Sequence, residues 1–381
     1  MKIGIIPGVF FPQPGGAQVQ VHNLANKLVE QGHQVDCYIF RDTNIKNNKY
    51  NIIKINYWLT SISFLFYYYF GLQTNFFLNF FFKKRIKSNY DFWYLCFLNF
   101  KSLLIVDVLK NYKQKVAVCF QGIDLQIDKK INYGYRLNKK YNNLLIKTLD
   151  KINVFFSISK NIYEDLINLN IDKKKIFLVP NSVEISKFRS VKKRRNSLLN
   201  LITVARFAEK KKGFDLVKNI SLILIRRKIK FKWTIVGKNT DFLLNDKYFI
   251  EKKSYFNFID NIQNINEDYF PNSKLLKLYK SSDLYLNLSR IESFGISIIE
   301  ALASEIPVIT FNTKGGNELI VNNFNGIIVE KDNLEKFVLA IKKFNDDNFF
   351  KYIKLNTIKS ILNYDLNKVA KQTTDILKKL S

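Results

Sequence analysis

The chain has 381 residues, with 61 Lys and Arg against 32 Asp and Glu, a net charge of +29. Its 47% hydrophobic and 15% aromatic content supplies a large core, excludes disorder over most of the length, and at this size indicates two domains. Three scattered cysteines, Cys37, Cys96 and Cys119, form no CxxC pair and exclude a disulfide scaffold or a zinc motif, and with only His22 and His33 a histidine cluster is excluded too.

In chain order, Ile3–Ile6 reads as a strand ending in a Gly/Pro loop, Ala17–Glu30 as a helix and Gln34–Phe40 as a strand. The N-terminal apolar run is too short and broken to be a signal peptide. Strands Phe92–Leu95, Val116–Phe120, Asn153–Ser157 and Ile176–Val179 follow, with helices such as Lys101–Asn111 and Lys160–Leu169 between them. A junction is expected near Pro180-Asn181-Ser182. The scheme then repeats, with strands at Asn200–Ala205, Lys232–Val236, Leu284–Asn287, Val308–Thr310 and Gly326–Val329. Helices are expected at Phe214–Arg227, Gly295–Ser304 and Asn333–Phe344. Apolar strands alternating with helices indicate parallel sheets covered on both faces. The fold class is therefore α/β, with two doubly wound domains in tandem. Ligands of such sheets sit beyond the carboxyl ends of the strands.

Two features bear on partners. The charge is shared almost evenly, +13 over residues 1–184 and +16 over 185–381, but Lys187–Lys232 holds 16 basic residues against two acids. With 51 Lys to ten Arg, this is either the composition of an AT-rich genome or a surface that faces an anion. The segment Ile55–Phe82 has 28 residues, 13 of them aromatic, and no charge, and Lys83-Lys84-Arg85 follow it. Three readings stand: helices packed inside the domain, an interfacial surface contacting an anionic membrane, or a true span.

Three motifs carry possible chemistry. Pro14-Gly15-Gly16 lies between the first strand and the first helix, where backbone can approach a ligand closely. It is not a GxGxxG, so a dinucleotide fingerprint is absent. Arg206 and Lys212-Gly213 flank a loop at a strand's carboxyl end, where a guanidinium and an ammonium suit a diphosphate. Glu292-Ser293-Phe294-Gly295-Ile296 leads into a helix that carries Glu300 among apolar neighbours. There helix N–H groups could hold phosphate while two carboxylates accept sugar or ribose hydroxyls.

Taken together, the Glu-x7-Glu spacing, the Arg206…Lys212-Gly213 loop, Gly15-Gly16, Pro180-Asn181 and Gly315-Gly316-Asn317-Glu318 resemble the retaining GT-B glycosyltransferases, family 4, of the group 1 type. The resemblance covers nearly the whole chain and is strongest from Ile202 to Val329. It implies an N-terminal acceptor domain at 1–184, a C-terminal nucleotide-sugar domain at 185–365, facing each other across a cleft, and a last helix, 366–381, returning to the first domain. It implies that Glu300 binds the ribose, Arg206 and Lys212 the diphosphate, and Glu292 with Ser293, Phe294, Gly295 and Ile296 the sugar and phosphates. Gly237 joins the donor contacts, and Gly15-Gly16 close over the donor. No metal or other cofactor is implied, because Arg and Lys replace it. The donor is a UDP- or GDP-sugar and the leaving phosphate deprotonates the acceptor.

One departure is Gln121, which stands where many members carry His and cannot take a proton near neutral pH. Another is Ser182, where Gly is common. The expectation is a retaining hexosyltransferase acting on a lipid-linked or membrane-proximal glycan in bacterial surface polysaccharide synthesis. It would be cytoplasmic, peripheral on the inner face of the membrane, and would not bind nucleic acid. The competing readings are a polyanion-binding protein and a sugar-nucleotide epimerase on the same fold.

Overall fold

The computed structural model describes residues 1–11, 15–43, 45, 47–70, 76–86, 89–188, 198–260 and 270–380, with backbone alone at 57, 59, 76, 77, 84 and 209. Pro14 and much of the basic run after Lys187 lie outside them. The described chain forms two compact units, one holding residues 1–180, Phe270 and the chain from Val369, the other 181–260 and 271–368.

The first unit is built on a seven-stranded parallel sheet. Its strands are β1 (Lys2–Pro7), β2 (Gln34–Ile39), β3 (Asn51–Lys54), β4 (Phe92–Cys96), β5 (Val116–Phe120), β6 (Val154–Ser157) and β7 (Ile176–Leu178). Their order is β3-β2-β1-β4-β5-β6-β7, with Ile3 opposite Val35 on one side and Phe92 on the other. The inner strands β4, β5 and β6 are buried along their whole length, as expected of strands covered on both faces. The edge strand β3, NIIK, is exposed at both ends, and this polar framing hides it from a hydrophobicity reading. Helix starts are marked by side chains that accept from free N–H groups. Asn99 and Ser102 cap each other reciprocally, and Ser159 caps Lys160–Ile167. The final helix, Leu366–Leu380, donates from Gln372 to the Leu178 carbonyl at 2.9 Å.

The second unit holds a six-stranded parallel sheet of β8 (Leu199–Val204), β9 (Phe231–Val236), β10 (Phe256–Ile259), β11 (Leu284–Asn287), β12 (Val308–Phe311) and β13 (Gly326–Val329), ordered β10-β9-β8-β11-β12-β13. The chain reverses direction across the sheet between β8 and β11, so loops leaving these adjacent strands diverge and open a crevice at their carboxyl ends. The segment Phe214–Arg226 is a single 3-10 turn followed by an α-helix rather than one helix.

A buried relay ties the central strands together. Trp233 Nε1 donates to Thr203 Oγ1 at 3.1 Å, and Thr203 Oγ1 donates to the Leu286 carbonyl at 2.8 Å. Replacing Thr203 with Val keeps the shape but leaves the indole N–H unpaired in the core. We predict a loss of about 1–3 kcal/mol in chemical denaturation.

Candidate functional site

The second unit brings the predicted donor residues together at the β8/β11 reversal. After β8 the chain passes Arg206, which is exposed, and turns through a short helix Glu209–Lys212. Gly213 follows at φ +70°, seated so closely under Leu288 that a Cβ would overlap the Leu288 carbonyl oxygen. That seat fixes the end of the loop against β11's exit and aims Lys212 inward. Its ammonium reaches Glu292 Oε2 at 2.8 Å, with both side chains less than one-fifth exposed.

Burial alone would push the Glu292 carboxyl up. The charge and hydrogen bond of Lys212, helped by Lys211 and the Ser289 hydroxyl, outweigh it and hold the carboxyl below its ordinary value. Lys211 is pressed the other way. Burial, then the neighbouring charges of Lys212 and Arg206, lower its ammonium to about 7, against the pull of Glu292. Three cations and one carboxylate thus share one loop junction.

Beyond Glu292 the backbone runs through Ser293 and Phe294, both buried, to Gly295 at φ +106°, where it enters the helix Ile296–Ala303. A side chain at Gly295 would be strained and would meet Ile298 Cδ1 at 2.8 Å. Gly315 holds the same loop from the far side, its N–H donating to the Glu292 carbonyl at 2.9 Å. Glu300 lies on the next turn of that helix, 7% exposed, and accepts from the Tyr279 hydroxyl at 2.8 Å. Burial raises its carboxyl to about 7, against the hydrogen bond from Tyr279. Gly237 closes β9 and donates its N–H to the Ile259 carbonyl.

Arg290 braces this arrangement. Its two terminal nitrogens grip Asp215 at 2.7 and 2.8 Å, Nε reaches Asp332 at 2.8 Å, and Nη1 also donates to the Lys210 carbonyl at 2.8 Å. The β8 loop and the β11 loop are therefore locked to one guanidinium, a bidentate geometry that Lys could not reproduce.

In the first unit, Gly15 precedes the helix Gly16–Glu30 as its N-cap, with no side chain of its own to cap it. Gln121 follows β5, and its side-chain amide lies 3.3 Å from Cys119 Sγ and 3.5 Å from Cys96 Sγ. Asp124, fully buried, accepts backbone N–H groups of Leu98, Gln121 and Gly122 at 2.9–3.1 Å and so sets the loop that carries Gln121. His22 is a core residue between Tyr50 and Asn26. His33 sits beside the N-terminal amine.

The sequence singled out Arg206, Lys212, Glu292, Gly295 and Glu300 but not Lys211, Tyr279, Arg290, Asp215 or Asp124. Lys211 is one of three consecutive lysines, and nothing in that run tells which is buried. The partners of Arg290 and Glu300 come from elements far along the chain. The invariant signal available was only that a buried carboxylate needs a partner.

Two family models match the chain, "Glycosyltransferase Family 4" over residues 14–187 and "Glycosyl transferases group 1" over 184–359. The alpha-monoglucosyldiacylglycerol synthase of Acholeplasma laidlawii is 24% identical over 90% of this chain and 88% of its own length. The capsular polysaccharide biosynthesis glycosyltransferase CapM of Staphylococcus aureus is 25% identical over 60% of this chain and 64% of its own. Among solved structures, Anabaena Alr3699/HepE in complex with UDP superposes with a TM-score of 0.75 over 100% of both chains, at 13% identity. At that identity the likeness concerns the fold, which is the two-domain GT-B arrangement of Rossmann-like sheets.

Two substitutions probe the braces. Arg290→Met should leave the unit folded but loosen the β8 loop, seen as faster amide hydrogen exchange over residues 207–213. Asp124→Ala should orphan three buried N–H groups and cost about 2–4 kcal/mol in denaturation.

Proposed function

The chain belongs to the group 1, family 4 type of glycosyltransferases, and we propose that it moves a hexose, with retention of anomeric configuration and without a metal, from a nucleoside-diphosphate sugar to a hydroxyl of a lipid-linked or membrane-proximal glycan in bacterial surface polysaccharide synthesis. The observation that carries this reading is the partly buried Lys212–Glu292 pair at the β8/β11 reversal, with Arg206 and Lys211 beside it and Glu300 one turn into the adjoining helix.

In this reading the donor ribose hydroxyls donate to Glu300. Its Oε2 is already held by Tyr279, while Oε1 accepts from no described side chain. Arg206 and Lys212 face the diphosphate, together with the N–H groups that open the helix after Gly295. These charges are fixed before reaction and stabilise the negative charge that grows on the leaving diphosphate as the glycosidic bond breaks. A diphosphate oxygen takes the acceptor's hydroxyl proton on the face from which it departs, so the new bond forms on the same face. Glu292, kept ionised by Lys212, is suited to accept from sugar hydroxyls and to orient Lys212.

Gly15, Gly16 and Gln121 are assigned to the reaction by family resemblance. Gln121 serves as a hydrogen-bonding group and not as a base. A UDP-sugar is the favoured donor because HepE, of the same fold, binds UDP. The lipid-linked acceptor is supported by relatives named for glycolipid and capsule synthesis, and a cytoplasmic site with peripheral attachment to the inner membrane face belongs to the same proposal.

The test is a screen of UDP-, GDP- and ADP-sugars in the presence of EDTA, read by thermal stabilisation and nucleotide release. One nucleotide class should stabilise the protein. Glu300→Ala should weaken its binding about 10- to 100-fold, the worth of hydrogen bonds to a charged group. Stabilisation that is unchanged in Glu300→Ala contradicts the assignment.

The proton balance gives a second prediction. Hydroxyl donors favour the ionised carboxylate, so binding lowers the Glu300 pKa from about 7 and releases a proton. A diphosphate favours the charged ammonium, so binding raises the Lys211 pKa from about 7 and takes a proton up. Calorimetry near pH 7 in buffers of different ionisation enthalpy should show the two nearly cancelling. Glu300→Gln should unmask net uptake, and Lys211→Met net release.

A further inference from the structure

The helix Tyr57–Phe70 turns a stripe of large apolar side chains outward. At 100° per residue, Trp58, Leu65, Phe66 and Tyr69 fall on one stripe, and that stripe faces outward, with Trp58 73% and Tyr69 68% exposed. While Phe64 and Tyr68 pack inward against Phe100, the side facing the protein also carries Thr60 and Ser63, each 1% exposed, and among the described residues the Ser63 hydroxyl has no hydrogen-bond partner. A helix evolved to face water places these residues the other way round. The next helix, Phe76–Ile86, buries Leu78 and Phe82 and leaves Phe80 69% exposed. Trp58, Tyr69, Phe70 and Phe80 are the four most exposed aromatic side chains among the described residues. The pair is nevertheless firmly seated, since Tyr67 donates to the Lys140 carbonyl, Lys140 to the Tyr68 carbonyl, and Lys101 to Ser61 at 3.1 Å.

Along the chain that forms this patch the charge has one sign. From Thr43 to Tyr90 there is no acidic residue and there are seven basic ones. Lys83 is exposed at the end of the second helix, and the Arg85 guanidinium lies 3.8 Å from the centre of the Phe81 ring. Two copies meeting through this face would bring like charges together. Neither helix, at 14 and 11 residues, is long enough to cross a bilayer, and none of the described helices is long and apolar enough to do so. Trp and Tyr are the side chains that settle at the level of lipid headgroups, and basic side chains favour anionic ones.

We propose that the helices Tyr57–Phe70 and Phe76–Ile86 are a membrane-docking surface that lies in the headgroup region of an anionic bilayer. Trp58, Tyr69, Phe70 and Phe80 enter the interface, and Lys83 and Arg85 meet lipid phosphates. This rests on the proposed membrane-proximal acceptor, and it names the surface and the lipid class by which the enzyme reaches it.

The chain has three tryptophans, of which Trp93 and Trp233 are fully buried, so Trp58 reports on this surface directly. The full-length protein is mixed with phosphatidylglycerol vesicles and, separately, with phosphatidylcholine vesicles. The expected result is co-flotation with the former, a blue-shifted Trp58 emission quenched by brominated acyl chains, and release in high salt. The variant Trp58→Ser/Tyr69→Ser/Phe70→Ser, altered only at exposed positions, should lose at least about tenfold in vesicle partitioning while keeping its melting temperature and its nucleotide affinity. The idea is overturned by equal partitioning of variant and parent, by preference for zwitterionic vesicles, or by unquenched Trp58 in a bound protein. It is equally overturned if the triple variant turns a dimer into a monomer, which would make the patch a protein interface. Nucleotide binding, measured on the same samples, shows separately whether the glycosyltransferase reading stands.

Discussion

The arrangement of the second unit depends on one largely shielded ion pair. Lys212 and Glu292 arrive from loops 80 residues apart in the chain and meet at 2.8 Å where the sheet's strand order reverses. Removing either partner would leave a partly buried charge without its counter-ion, so the pair ties the two loops together. Their glycines make the meeting possible, since Gly213 lies against Leu288 and Gly315 against the Glu292 carbonyl at separations no side chain tolerates. Arg290 then locks the outer edge of the junction through Asp215 and Asp332.

Such a junction concentrates positive charge, with Arg206, Lys211 and Lys212 on one loop and Arg290 at its edge. Arg206 stays exposed, and Lys211 is pushed towards neutrality by burial and by its neighbours. On the adjoining helix, Glu300 is raised by burial and tethered by Tyr279. Burial thus pushes Lys211 and Glu300 in opposite directions, the ammonium down and the carboxyl up, each to about 7.

Much of this was legible in the sequence. The buried parallel strands, from Ile3 to Val329, announced themselves as apolar runs between helices, and Arg206, Lys212, Glu292 and Glu300 stood at their carboxyl ends. The edge strands β3 and β10 did not, because NIIK and FNFI are short and carry polar residues. The braces were illegible for a different reason. Tyr279 and Arg290 have no local signature, and their importance is set by which distant strand lies next to them. For Ile55–Phe82 three readings were open. The described residues show two short helices with their aromatic stripe turned outward, where burial of the serine and threonine face is the observation no periodicity analysis could supply.

The measurement that tests the central claim most directly is the stereochemistry of transfer. The protein would be incubated with the stabilising nucleotide sugar and a glycolipid acceptor in EDTA, and the anomeric coupling of the product followed by NMR from the first turnovers. Retention, with activity undiminished by the chelator and lost in Lys212→Ala, is the predicted result. An inverted anomer, or transfer that returns only on adding a divalent cation, would contradict the account.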